Sequence, residues 1–210
     1  MITKSIVFSL ENSMHIQASV RITSVSNNNI KDVLSFQPSR YVAIFERFLR
    51  QGDVGYYAYL DGKCCHRSWL QKGPQWVSIN PFIQMKLEKN EGYIHYCETA
   101  PWARGKGIYP AVLSRIAEDH ENLCNLFICV NSENKASLRG VEKVGFKERE
   151  RVDLRIILRI PFYHVSVLSP FCGVPCRSYR VFWPFIIRLL GTCKGKLVKK
   201  VFRKKGNENA

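Results

Sequence analysis

The spacing of apolar positions changes several times along the chain, and each change marks an element. Residues 16–24 alternate loosely around Val20 and Ile22 and read as a first strand. Asn27 to Asn29 is a turn. From Ser39 to Arg50, Tyr41, Ile44, Phe45, Phe48 and Leu49 recur at helical spacing, and Gly52-Asp53 ends that helix. Val54 to Leu60 is aromatic and β-prone. Asp61-Gly62 then predicts a tight hairpin into Lys63 to Leu70. Gly73-Pro74 is a loop, and 76–87 fits neither period clearly. Gly92 to Glu98 reads as a strand, 108–120 as a helix with Ile108, Val112, Leu113, Ile116 and Ala117 inward, and Leu123 to Val130 as a buried strand. A short helix over 135–144 closes at Gly145. Residues 146–160 alternate around Val152, Leu154, Ile156 and Leu158 up to Pro161. Strands interleaved with helices in this order imply a mixed α/β layer fold.

Composition narrows the picture. A chain of 210 residues with 46% hydrophobic residues suits one domain with an appendage. The net charge of +15 is uneven: residues 1–162 carry +6, and residues 163–210 carry +9 with Glu208 as their one acidic residue. Basicity is therefore mostly a tail property, and a nucleic-acid partner is not expected. The stretch Ile6 to Leu10 is too short for a secretory signal, and no run of ~18 apolar residues suggests a membrane span. Cys97, Cys124 and Cys129 sit inside apolar strand-like runs, where reduced cysteine packs as a small hydrophobe. A cytoplasmic location with reduced thiols is the expectation. Neither Cys172 and Cys176 nor Cys64, Cys65 and His66 has C-x-x-C spacing, so no metal site is expected.

The candidate chemistry lies at Thr99 to Tyr109, T-A-P-W-A-R-G-K-G-I-Y, between a strand and a helix. Glycines let the backbone approach a ligand, and the free N–H groups at a helix start favour an anion. Arg104 and Lys106 add positive charge. The loop lacks the Lys-Ser/Thr of a Walker loop, and the third glycine and acidic ribose contact of a dinucleotide fold. A second segment begins 30 residues after Arg104: Asn134-Lys135-Ala136-Ser137, then Glu142-Lys143-Val144-Gly145-Phe146.

On these two segments the chain resembles the GCN5-related N-acetyltransferase (GNAT) family. The strong match covers about 90–148, and the strand order extends the expected acyltransferase domain to 16–160, with 161–210 as a basic, partly apolar extension. The resemblance implies a strongly twisted mixed sheet flanked by helices. Two splayed parallel strands, 92–98 and 123–130, would form the acyl-CoA cleft. It implies acetyl-CoA as co-substrate and an amine as acceptor. The donor would be held by Thr99, Arg104, Gly105, Lys106, Gly107, Ile108 and Tyr109 of the loop, with Asn134 and Ser137 at the second helix. The chain departs from the family pattern at Trp102 and Tyr109, and at Val141, where many members carry the tyrosine that protonates the leaving thiolate.

Acyl transfer to an amine needs a base, a polarised carbonyl and a proton for the thiolate. Strand alternation puts Tyr93, His95, Cys97 and Thr99 on one face, and Ile94, Tyr96 and Glu98 on the other. Family bases are often a Glu or His on this strand, which makes His95 the first candidate and Glu98 the second. Glu98 faces the wrong way unless a bulge turns the strand, and an ion pair with a nearby Arg or Lys is the plainer reading of it. Tyr109 could replace Val141 as the acid, and Cys97 could form an acyl-enzyme, although packing roles suit both. The acceptor is expected near helix 40–50 and strands 54–70, where Glu46, Tyr56, Tyr57, Arg67 and Trp69 offer polar and aromatic groups. R-G-K-G-I-Y-P and N-K-A-S-L-R-G-V-E-K-V-G-F look like members associated with surface-polysaccharide synthesis, which implies an amino-sugar acceptor. Two alternatives stay open: a degenerate domain that binds CoA or a membrane, and an O-acyltransferase. The apolar stretch Val181 to Leu190, followed by Lys194, Lys196, Lys199, Lys200, Arg203, Lys204 and Lys205, suits peripheral contact with an anionic inner membrane face. The sequence carries no signal for oligomeric state.

Overall fold

In chain order the elements are β1 (Ile2–Leu10), β2 (Arg21–Ser24), α1 (Arg40–Arg50), β3 (Val54–Leu60), β4 (Lys63–Lys72), β5 (Gln75–Ser78), β6 (Ile83–Leu87) and β7 (Glu91–Thr99). They continue with α2 (Ile108–Asp119), β8 (Asn125–Asn131), α3 (Lys135–Lys143), β9 (Phe146–Ile157), β10 (Ile160–Val167) and β11 (Tyr179–Val181). These come from a computed structural model that describes residues 2–157, 160–167 and 177–181. Leu158, Cys172, Cys176, the basic tail and all but Val181 of the apolar tail stretch lie outside the described residues.

An eight-stranded sheet runs in the order β10-β9-β1-β8-β7-β4-β3-β2. All its ladders are antiparallel except β7 against β8, which is parallel. A parallel pair requires a crossover, and the loop and α2 supply it. On one face α2 and α3 cover a core that includes Ile6, Phe8, Leu70, Ile94, Leu113 and Phe146. The other face is shared. At the β2–β4 end, α1 and the 3-10 turn at Ile30–Ser35 pack over Tyr57, Tyr59 and Trp69. At the other end a small sheet, β11-β6-β5, sets Val77, Ile83, Met85 and Leu87 on Val7, Tyr93, Phe127, Val152 and Leu154.

The hairpin at Asp61-Gly62, helices α1, α2 and α3, and strands β7 to β9 stand where the periodicity puts them. Three points differ. The first strand expected over 16–24 starts only at Arg21. The ambiguous stretch 76–87 is the β5–β6 hairpin, whose strands of four and five residues are too short for their alternation to stand out in the sequence. The sheet also reaches beyond the expected 16–160 span, through β1 in front of it and β10 behind it. β1 lies between β8 and β9, with Ile6 and Phe8 buried on one face and Val7 on the other. Its apolar residues Ile6-Val7-Phe8 are consecutive and are bounded by Lys4, Ser5 and Ser9, so neither period shows. The segment after β1 crosses the end of α3, where the Met14 N–H donates to the Val144 carbonyl at 3.0 Å.

Candidate active site

β7 and β8 pair from Glu91–Asn125 to Ile94–Ile128 and no further. Beyond that point β7 stays with β4 and β8 stays with β1, so the two strands diverge. The divergence leaves a gap in the middle of the sheet, and two clefts of about 570 and 530 Å³ meet there. Both volumes suit a small-molecule site. Cys97, Tyr109, Asn134 and Ser137 line both clefts.

The first cleft lies against the loop and the start of α2 and α3. Its floor is the 99–107 turn. Thr99 anchors that turn: its carbonyl accepts from Arg104 Nε at 3.2 Å, and its hydroxyl bonds His66 Nδ1 at 2.7 Å. Gly105 and Gly107 take φ of +79° and +71°, the left-handed region that glycine enters without strain. Nothing lies within 4 Å of where a Cβ would stand on either, so the backbone opens onto free space. The bonds of the turn end at Arg104 N–H to Pro101 and resume at Ala111 N–H to Gly107. The first N–H groups of α2 have no carbonyl above them to bond, and Pro110 has none to leave unpaired. Arg104, Arg139 and Lys143 line the same cleft. Together these groups fit an anion of pyrophosphate size. Lys106 is exposed and does not line the cleft, so it contributes charge at a distance. Asn134 caps α3, its side-chain oxygen accepting from Ser137 N–H at 3.1 Å. Its amide NH₂ remains for a ligand.

The second cleft runs along the cleft-side edge of β7 toward α1 and β5, lined by Arg47, Phe48, Gln71, Trp76, His95 and Tyr96 among others. Tyr56, Tyr57, Arg67 and Trp69, expected at an acceptor surface, are instead buried in the core. Their polar and aromatic character suggests a surface, but α1 and α2 cover both faces of β3 and β4.

A bulge in β7 rearranges the candidate bases. His95 opposes Trp69 and Glu98 opposes Arg67, so Tyr96 and Cys97 together face the single Ser68. Tyr96 takes φ +51° to allow it. Since Arg67 and Trp69 share a face of β4, the bulge brings Glu98 to the face of His95 and moves Thr99 to the other, beside His66. Simple alternation predicts the reverse for both. Glu98 is nevertheless held: its carboxylate meets Arg67 at 2.6 Å, and it lines the first cleft while His95 lines the second. Arg67 is buried under Tyr41 and Phe45, its guanidinium 4.7 and 5.3 Å from their ring centres, and it also donates to the Tyr96 carbonyl. Glu98 is therefore the counter-ion of a buried arginine that locks the bulge.

His95 has a partner that sequence reasoning missed. Asp53, in the turn after α1, sets its carboxylate 3.5 Å from His95 Nε2. Both atoms are sealed from solvent and neither has a hydrogen bond in the structure. Phe48 and Tyr93 flank the imidazole. With Nε2 turned to Asp53, Nδ1 is the nitrogen left for the cleft. In the sequence Asp53 reads as part of a helix stop, and nothing there links it to a residue on a distant strand.

His66 is the second missed residue. Burial and the Arg67 charge push its pKa down to about 3, so a neutral ring bridges Thr99 and Ser68 beneath the loop. Tyr109 stands on the wall between the clefts, its ring tilted against His66 and seated on Gly140, where a Cβ would come within 2.7 Å of it. Burial first, then Cys97, holds its phenol well above the usual range and so protonated. Its hydroxyl makes no protein hydrogen bond among the described residues. Val141 is fully buried in the α2–α3 core. Burial raises the Cys97 thiol to about 11, which leaves little thiolate for an acyl-enzyme.

Solved structures that share this architecture include GNAT proteins. A GNAT-family acetyltransferase from Colwellia psychrerythraea superposes with a TM-score of 0.58 at 12% identity, over 73% of this chain and 56% of that one. A GNAT-family protein from Novosphingobium aromaticivorans gives 0.50 at 13% identity, over 73% and 63%. The GCN5-related glucosamine N-acetyltransferase region of a fungal multi-domain β-N-acetylglucosaminidase gives 0.52 at 12%, over 72% of this chain and 20% of that one. The chain thus spans little more than half the length of the first two. No protein-family model matches the sequence, and no curated protein matches it. The mixed sheet with its splayed parallel pair is the GNAT fold.

Proposed function

We propose that this protein is an acyltransferase that moves an acetyl group from acetyl-CoA to an amine. The observation that carries the reading is the meeting of two clefts where β7 and β8 part, one floored by a turn suited to an anion and the other walled by His95, which Asp53 backs from inside. The loop amides, Arg104, Arg139 and Lys143 suit the donor's pyrophosphate. The gap suits its pantetheine arm, because the edges of β7 and β8 past Ile94 and Ile128 lack each other as partners.

His95 takes the proton from the amine as nitrogen attacks the thioester carbonyl. The C–N bond forms, the C–S bond breaks, and the thiolate leaves. Tyr109, neutral and on the shared wall, donates to the departing sulfur and regains its proton from solvent, and His95 releases to solvent the proton it took. This assigns to Tyr109 the role that Val141 cannot fill. An amino-sugar acceptor is supported by the likeness to a glucosamine N-acetyltransferase region and by the loop's resemblance to polysaccharide-linked members. Among the described residues no helix is long and apolar enough to cross a membrane. The basic tail extends the proposal to the surface of an anionic membrane, tested by co-sedimentation with anionic vesicles at physiological salt.

Thiol release from acetyl-CoA in the presence of an amine panel tests the function. Turnover that needs both components supports it, and Tyr109→Phe should lower kcat with little change in the KM for acetyl-CoA. Failure of acetyl-CoA to bind would overturn it. Binding without turnover on any amine would favour a CoA-binding module, the reading Val141 keeps open.

A further inference from the structure

The second cleft has a composition that bears on its ligand. Among the described residues that line it there is no Asp or Glu, and its one permanent charge is Arg47. Asp53 does not line it. That carboxylate is sealed behind His95. Arg47 comes from the last turn of α1 and is exposed. Its guanidinium lies 5.9 Å from the Phe48 ring centre and has no carboxylate partner among the described residues. The other arginines nearby differ: Arg67 is paired with Glu98, and Arg180 lies 4.2 Å over Trp76 and bonds Gln84. Arg180 thus sets a second positive charge over the Trp76 ring.

A site for a polycationic amine needs carboxylates, because an unmatched cation in a cleft edged by arginine is repelled and loses hydration without return. This cleft has the opposite character. A fork-shaped guanidinium with five donors and no internal partner matches a carboxylate or phosphate. Gln71, Ser78 and Trp76 add hydrogen-bonding groups and a flat apolar face suited to a polar ring. Residues 1–162, which carry the cleft, have a net charge of +6, and that favours an anion over a cation nearby.

We infer that the acceptor is an anionic amine, a small molecule that carries a phosphate or carboxylate beside the amino group, and that Arg47 binds that anion. The inference rests on the acyltransferase reading and names the acceptor class for the same site. Selection then works through charge. The anion docks at Arg47, which draws the amine into the cleft along β7, and polyamines are excluded.

The test compares matched acceptors in the thiol-release assay: glucosamine-6-phosphate against glucosamine, glutamate against its diamide, and spermidine. The expected result is a kcat/KM at least about tenfold higher for one anionic member than for its neutral partner, the size of a charge-assisted bond. The pair that shows the gap identifies phosphate or carboxylate. Arg47→Ala should raise the KM of the anionic acceptor by about tenfold to a hundredfold, leave the KM of its neutral partner and of acetyl-CoA unchanged, and be partly repaired by Arg47→Lys. Equal rates for anionic and neutral partners, a preference for spermidine, or an Arg47→Ala variant with unchanged selectivity would overturn the inference while leaving the transferase reading intact. If no amine is turned over, the transferase reading fails. The assignment of an acceptor then fails with it, and the anion site at Arg47 stands or falls on whether glucosamine-6-phosphate or glutamate, and not their neutral partners, changes the tryptophan fluorescence of the wild type but not of Arg47→Ala.

Discussion

At the scale of single residues the site rests on two histidines with opposite surroundings. His66 is enclosed, bonded at both nitrogens and kept neutral, so it serves as a rigid strut beneath the loop. His95 faces a cleft and has a carboxylate at its back. Two buried polar atoms 3.5 Å apart with no other partner need an account, since each such group costs roughly 1–3 kcal/mol when left unpaired. Asp53 fixing the His95 tautomer, with the proton on Nε2 and the lone pair on Nδ1 toward the amine, supplies one. Asp53→Asn should lower kcat by roughly tenfold to a hundredfold, part of what a positioned base contributes, without raising the KM for acetyl-CoA. Nitrogen-15 shifts of His95 should report a single tautomer in the wild type and a mixture in the variant. An unchanged kcat and tautomer would reduce the pair to packing. His95 could be nominated from the sequence because family bases are often a Glu or His on this strand, and the structure sets it on the wall of the second cleft. Asp53 was not, because its role comes from a contact between a helix end and a strand that no local pattern encodes.

At the scale of elements, the loop, α2 and α3 were legible because glycine, proline and cap residues act locally. The bulge was not. A tyrosine at φ +51° has no sequence signature, and it is held by Arg67, whose partners sit on α1 and β7. One glycine tests how tightly the α3 end is built. Gly145 takes φ +100°, and a Cβ there would fall 1.9 Å from the Asn12 carbonyl oxygen. Both terms oppose a side chain: the conformation is strained, and the obstacle is backbone. Gly145→Ala should therefore destabilise the protein by about 2–3 kcal/mol, read as a lower urea midpoint at unchanged m-value. The loss should reach function as well, since α3 carries Asn134, Ser137 and the Gly140 seat of Tyr109.

At the scale of the whole molecule, Glu91 ties the β6–β7 turn to the segment before β11. Its carboxylate accepts two bonds from Arg177 at 2.5 Å and one each from Glu88 N–H and Asn125. Burial alone would raise its pKa, but Arg177 and the other donors outweigh burial and hold it below the ordinary 4.5. A depressed carboxyl contributes stability that is complete above its unfolded pKa and lost as pH falls through the folded one. His66 acts in the same direction over a different window. Its folded value of about 3 lies below the ordinary 6.5, so the unfolded chain takes up a proton first as pH drops from 6.5 toward 3. Tm should therefore decline from about pH 6.5 and more steeply below about pH 4.5, and Glu91→Gln should flatten the lower limb only. A Tm that stays level from pH 7 to pH 4 would contradict both assignments. The position of β1 has a consequence for how the chain comes to be folded. The strand at the front of the sequence is knitted between β8 and β9, so its partners run from Phe127 to Arg155. During synthesis it emerges well before its partners and waits, with both apolar faces bare, until more than a hundred further residues have been made. Such long-range closure slows folding and leaves an unpaired edge open to misassembly. Any misassembly when expression is fast should therefore trace to β1 more than to the site it helps to hold apart.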